Sequence, residues 1–155
     1  MTPELTTVVA DVLGDLAFMV TDDGPVELPP GASWLQADIS YHGEHTGNLK
    51  CWCTRELAIK LAASLLATEA DAGEAQAAAD DALREFMNVL CGQLVTAWHG
   101  TAGVFTLSIP TVREFLGTPE LPAAERGHVC QLQVEGEPLL CVYQPGTASS
   151  GQRGQ

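Results

Sequence analysis

The sequence predicts an α+β domain with helices packed on a largely antiparallel sheet, in the order α-ββ-α-α-βββ. Three observations carry that prediction. Apolar residues recur at helical spacing near the start of the chain and again between residues 79 and 95. Apolar and polar residues alternate from Leu35 to His42, and a turn brings a similar run back beside it. A chain of 155 residues with 46% hydrophobic and only 17% charged residues buries one real core and is not a disordered polymer. Hairpins and helices in succession, without strict βαβ alternation, indicate helices laid on an antiparallel sheet.

Thr2-Pro3 supplies a capping hydroxyl and then proline at the first helical position. Leu5, Val8, Val9, Val12, Leu13 and Leu16 follow at helical period and predict a helix over roughly residues 3–20. Asp22-Asp23-Gly24-Pro25 stops it, and a loop runs to Ala32. Leu35, Ala37, Ile39 and Tyr41 alternate with Gln36, Asp38, Ser40 and His42, the pattern of a half-buried strand. "GEHTGN" turns the chain, and Leu49, Cys51 and Cys53 return along the same face. Thr54 caps a second helix with Leu57, Leu61 and Leu65 inward, and "EADAG" breaks it. A third helix is predicted from about Glu74 to His99, ending at Gly100. Residues 104–109 read as a strand closed by Pro110. Residues 111–126 read as irregular, with a helical turn at "VREFL". Residues 129–134 and 139–143 form a second hairpin around "EGEP". One domain is expected over residues 1–144, and a disordered tail, with nothing to bury, over 145–155.

Twenty acids against seven Lys and Arg leave a net charge of −13. That field repels phosphate backbones and anionic lipid, so neither nucleic acid nor membrane is the expected partner. A protein with a basic rim is compatible with it. The N-terminus carries no basic-then-apolar run and no stretch reaches spanning length, so a cytoplasmic location is expected. The five cysteines are then reduced thiols. Cys51 and Cys53 share a strand face with His42 and His45 nearby, which is the one place to imagine a metal. The C-x-C spacing has no C-x-x-C or H-x-x-x-H partner, and the plainer reading is cysteine as a small buried apolar residue. No metal site is expected.

The third helix carries the chemistry. Ala79, Leu83, Phe86, Leu90 and Leu94, with Met87 and Val95 beside them, make an apolar stripe. Asp81, Glu85, Asn88 and Gly92 lie four, three and four apart, so they share another face. Either that face is merely the wet side, or the small polar group has a task. An amide donates and accepts at once and can hold a water in line; a carboxylate one turn earlier can grip a cation on another molecule. No Ser-His-Asp elbow, phosphate-binding glycine loop or metalloprotease helix is present, and the four histidines fall in no motif.

"DALREFMNVLCG", with Asp81-x-x-x-Glu85-x-x-Asn88, Gly92 and the downstream proline Pro110 of "LSIP", resembles the CheC/CheX chemotaxis phosphatases, and the element order is similar to the CheX type. The resemblance covers nearly the whole chain up to about Gln144. It implies an enzyme that removes phosphate from the aspartyl-phosphate of a CheY-like response regulator. Asn88 would enter the regulator's active site and orient the attacking water, and Glu85 would pair with a regulator lysine. Mg²⁺ would be supplied by the regulator, with no cofactor on this chain. Gly92 would allow close approach of the partner or, alternatively, tight helix packing; Asp81 would have a structural role. Pro110 comes one residue sooner after Asn88 than the family pattern expects. The first helix offers only Glu4-Leu5-Thr6-Thr7, without the amide of a second E-x-x-N. One site per chain is the CheX arrangement, and that type implies a homodimer joined through its sheets. The rival from another class is a non-catalytic CheX-like module that binds a regulator or scaffold. A metal-binding protein using His42, His45, Cys51 and Cys53 is a third.

Overall fold

The structure, a computed structural model, describes residues 3–146. In chain order its elements are α1 (Leu5–Ala17), β1 (Thr21–Asp22), β2 (Trp34–His42), β3 (Gly47–Thr54), α2 (Arg55–Leu66), α3 (Gly73–Ala77), α4 (Ala79–His99), β4 (Thr106–Leu107), β5 (Thr111–Phe115), a 3₁₀ turn at Arg126–His128, β6 (Val129–Val134) and β7 (Glu137–Pro145). The seven strands form one sheet, β1-β6-β7-β3-β2, with β4 and β5 both on the outer side of β2. Every pairing is antiparallel.

The period-2 pattern of β2 and β3 does what alternation dictates. Leu35, Ala37, Ile39, Tyr41, Leu49, Cys51 and Cys53 point to the helical face and join one core with α1, α2 and α4. Trp34 and Trp52, on the other face, pack with Leu140 and Val142 under the segments bearing Leu28 and Leu121. The Trp52 indole donates to Gln36 Oε1 at 3.0 Å, and Gln36 donates onward to Asp38, so these polar side chains on this face are paired. Gly47, at the turn predicted by "GEHTGN", faces the Tyr143 ring, which a Cβ there would overlap.

Several elements differ from the sequence reading, each for a physical reason. The segment "VREFL" is strand β5, not a helical turn: Val112 and Phe115, three apart, imitate a helical face but lie on opposite faces of the sheet. Val112 packs into the core beneath the helices and Phe115 against Trp52 on the other side. The strand expected over 104–109 shrinks to Thr106–Leu107. Between the registers Tyr41↔Leu107 and Asp38↔Thr111, β2 advances three residues and the edge chain four. This one-residue excess is a bulge at Ser108–Pro110, where Ser108 exchanges bonds with Ser40 and Pro110, having no N–H, needs no acceptor.

The first helix starts at Leu5, not at Pro3, and Thr2 lies outside the described residues. It also ends sooner than expected, because left-handed Phe18 turns Met19 into the core and the chain joins the sheet edge as β1. The alanine-rich start of the third helix is split: α3 is separate and α4 begins at Ala79, with Ala75 and Ala79 both buried. Thr54 caps α2 as read, accepting from Leu57 N at 3.2 Å. Strand β7 continues to Pro145; residues 147–155 of the expected tail lie outside the described residues.

Candidate active site

Helix α4 is the pillar of the site. Its buried residues, Ala79, Ala82, Leu83, Phe86, Met87, Leu90, Cys91, Leu94 and Val95, contain the whole predicted apolar stripe. They pack on α1, α2 and β2, which holds the helix against the sheet along its length. Both ends are tied. At the C-terminus the Trp98 indole donates to Pro3 O at 2.8 Å, and the Tyr41 hydroxyl bonds His99 Nε2 at 2.9 Å. At the N-terminus Asp80 and Asp81 complement the helix dipole, and Arg55 approaches Asp80 at 3.8 Å.

Opposite the buried stripe, Asp81, Glu85 and Asn88 are all exposed and Gly92 is half-buried. Asp81 is engaged locally, accepting a 2.7 Å charged bond from Arg84 one turn on. Glu85 has no cation and Asn88 no hydrogen-bond partner among the described residues. A Cβ built on Gly92 meets nothing within 4 Å, so helix packing within this chain does not require glycine there. The structure thus places four of the five predicted residues on one face of one helix. Pro110 lies elsewhere, at the bulge of the edge strand.

The thiol on this helix is a poor nucleophile. Burial pushes the Cys91 thiol up to about 12. All five cysteines are buried, and burial raises Cys53 and Cys141 as well. The imagined metal cluster is dispersed. Cys51 and Cys53 face the core, His42 is exposed on the other side of β2, and His45 stacks on His99 with ring centroids 4.1 Å apart. Among the described residues no group of three His, Cys, Asp or Glu side chains is placed to hold a metal.

Beside the polar face a groove of about 330 Å³ runs between α1 and α4, lined by Pro3, Val8, Asp11, Val12, Asp15, Leu16, Val89, Gln93 and Ala97. Asp11 and Asp15 were not singled out from sequence. Their signal is an i,i+4 pair of like charges on the polar side of α1, which ordinarily costs an isolated helix about 0.2–0.5 kcal/mol. Among the described residues no helix is long and apolar enough to cross a membrane.

With this geometry in place, comparison with known proteins is decisive. The family model for the chemotaxis phosphatase CheX matches residues 35–132, well over half of the chain and all of α4. The chain belongs to the CheX family. Solved structures agree on the fold. A chemotaxis protein CheX from Desulfovibrio desulfuricans superposes with a TM-score of 0.67 at 16% identity, covering 92% of this chain and 96% of that one. A putative chemotaxis protein from Desulfovibrio vulgaris Hildenborough gives 0.65 at 17% identity, covering 92% and 94%. The CheX of a CheX–CheY–BeF₃–Mg²⁺ complex from Borrelia burgdorferi gives 0.62 at 16% identity, covering 92% and 96%. No curated protein sequence matches the chain significantly. Outside the family-model match lies α1, which supplies the acidic wall of the groove.

Proposed function

We propose that this CheX-family chain hydrolyses the aspartyl-phosphate of a CheY-like response regulator, with Asn88 and Glu85 as the residues that act. One observation carries the reading: an amide and a carboxylate, one turn apart on a rigidly packed helix, project outward with no partner among the described residues, and Gly92 in line with them leaves open space. The Borrelia complex, in which beryllofluoride stands for the phosphoryl group, shows what a relative engages and supports the choice of partner.

In this reading Asn88 enters the regulator's site and holds the attacking water by its carbonyl while its amide N–H₂ faces phosphoryl oxygen. Water oxygen bonds to phosphorus, the bond from phosphorus to the aspartyl oxygen breaks, and inorganic phosphate leaves a free carboxylate. Glu85 pairs with a regulator lysine and sets the register. Mg²⁺ belongs to the regulator, and this chain contributes no cofactor. Catalysis is then positioning, which is worth several kcal/mol of barrier when the geometry is held. Asp81, bonded to Arg84, serves the helix rather than the chemistry.

The same reading makes residues 1–144 one catalytic domain, working in the cytoplasm as a homodimer joined through its sheets. The outer edge of β4 and β5 supports the dimer: among the described residues no strand pairs there, and nearby Val104, Ile109 and Leu116 are 85%, 85% and 91% exposed. The test is direct. Catalytic amounts of the protein are expected to speed phosphate loss from a ³²P-labelled cognate regulator in the presence of Mg²⁺. Decay unchanged across the source organism's CheY-like regulators, with binding intact, would make the chain a docking module without turnover.

A further inference from the structure

We infer that the groove between α1 and α4 is the second half of the regulator-docking surface, taking an apolar regulator side chain flanked by lysine or arginine. The inference rests on the proposed function and adds residues and chemistry to it. The floor of the groove is apolar, built from Val8, Val12, Leu16 and Val89, while among the described residues the charged ones lining it are Asp11 and Asp15.

Those two carboxylates stand one turn apart on α1, and among the described residues neither has an ion pair. Lys50, Arg55, Lys60 and Arg84 are all engaged elsewhere, with Asp38, Asp80 and Glu114, Glu137, and Asp81. A like-charged i,i+4 pair disfavours the helix that carries it, and among the described residues no ion pair offsets the repulsion. A cation from outside would.

Position selects the partner. The Trp98–Pro3 bond ties the end of α4 to the start of α1, and α1 from there to Leu16 shares one groove with Val89, Gln93 and Ala97, so the two helices run antiparallel. Asp11 and Asp15 therefore line the same groove as Val89, the residue after Asn88. Packed helices are about 8–10 Å apart, whereas a specific protein interface covers about 800 Å² on each partner. A globular regulator seated on Asn88 overhangs α1 and covers the groove. A small metabolite is the poorer fit, because the groove has no buried polar group to orient one.

The test separates docking from chemistry. For the double variant Asp11→Lys/Asp15→Lys, dephosphorylation of the phosphorylated regulator is measured against regulator concentration. Binding is titrated in parallel with regulator loaded with beryllofluoride and Mg²⁺. KM and Kd are expected to rise about tenfold or more, with kcat within about twofold of wild type, as for loss of steering and register at an interface rim. Asp11→Asn/Asp15→Asn should fall between, and added salt should weaken wild type more than either variant. Unchanged KM and Kd overturn the inference, as does a fall in kcat alone. A changed sedimentation coefficient of this chain with KM unchanged also overturns it, in favour of a second copy in the groove. Wild type that acts on the regulator while the variants match it sinks this inference alone. Wild type that neither binds nor dephosphorylates any regulator sinks the proposed function with it.

Discussion

Asn88 and Leu90 are two residues apart on α4 and point in opposite directions: Asn88 is exposed to solvent, whereas Leu90 is completely buried in the core. Two residues on a helix are separated by more than half a turn, so a single element presents chemistry on one side and is anchored on the other. That separation lets activity and stability be changed independently.

Asn88→Asp keeps size and shape and alters only charge and donors. Against a phosphoryl group the carboxylate repels, with an interaction on the order of a few kcal/mol between unit charges about 4 Å apart. It also cannot donate. We expect kcat/KM to fall by about 100-fold or more, with fold and oligomeric state unchanged. Steady-state rates within a few-fold of wild type would remove Asn88 from the catalytic role.

Glu85→Ala and Leu90→Ala make a matched pair. The first removes an exposed, unpaired carboxylate and should cost stability no more than about 0.5 kcal/mol while raising KM for the regulator. The second opens a cavity beneath the helix and should cost roughly 2–5 kcal/mol. Thermal melts in which Glu85→Ala is the more damaging would mean that the two faces of α4 are exchanged.

Gly92→Leu tests the open space on the site face. Leucine favours a helix over glycine by close to 1 kcal/mol, and among the described residues nothing beyond the helix's own adjacent backbone stands within 4 Å of the new Cβ. The variant should melt at the same temperature or higher, yet dock the regulator poorly, seen as a raised KM. Full activity in a stabilised Gly92→Leu protein would place the partner off this face.

His99 gives a pH dependence of known sign. Its desolvation, followed by the charge of stacked His45, lowers its pKa below the ordinary 6.5. The folded state then binds fewer protons than the unfolded state, so stability is fully present above about 6.5 and falls as pH drops through the lowered folded value. Replacing His99 by Gln should flatten that part of the wild-type profile. Melting temperatures recorded from pH 7.5 to 5 whose slope is identical in both proteins would show that His99 does not contribute.

The sequence by itself determined the helix-on-antiparallel-sheet class, the alternation of β2 and β3, and the two opposed faces of α4. These follow from period 2 and period 3.6, which act within a few residues and need no knowledge of what lies across the core. It also brought Asp81, Glu85, Asn88 and Gly92 to one face, because spacing along a helix is geometry in one dimension. Only the tertiary structure decided the rest. Val112 and Phe115 looked helical until both faces of the sheet proved to be buried, and the alanine run before α4 had no side chain to mark its bend. The aspartates of α1 and Val89, the residue after the amide of α4, more than seventy residues apart in sequence, came to line one groove only when the two helices packed antiparallel. Local pattern sets which side of each element is wet; the packing of the elements sets which wet sides meet.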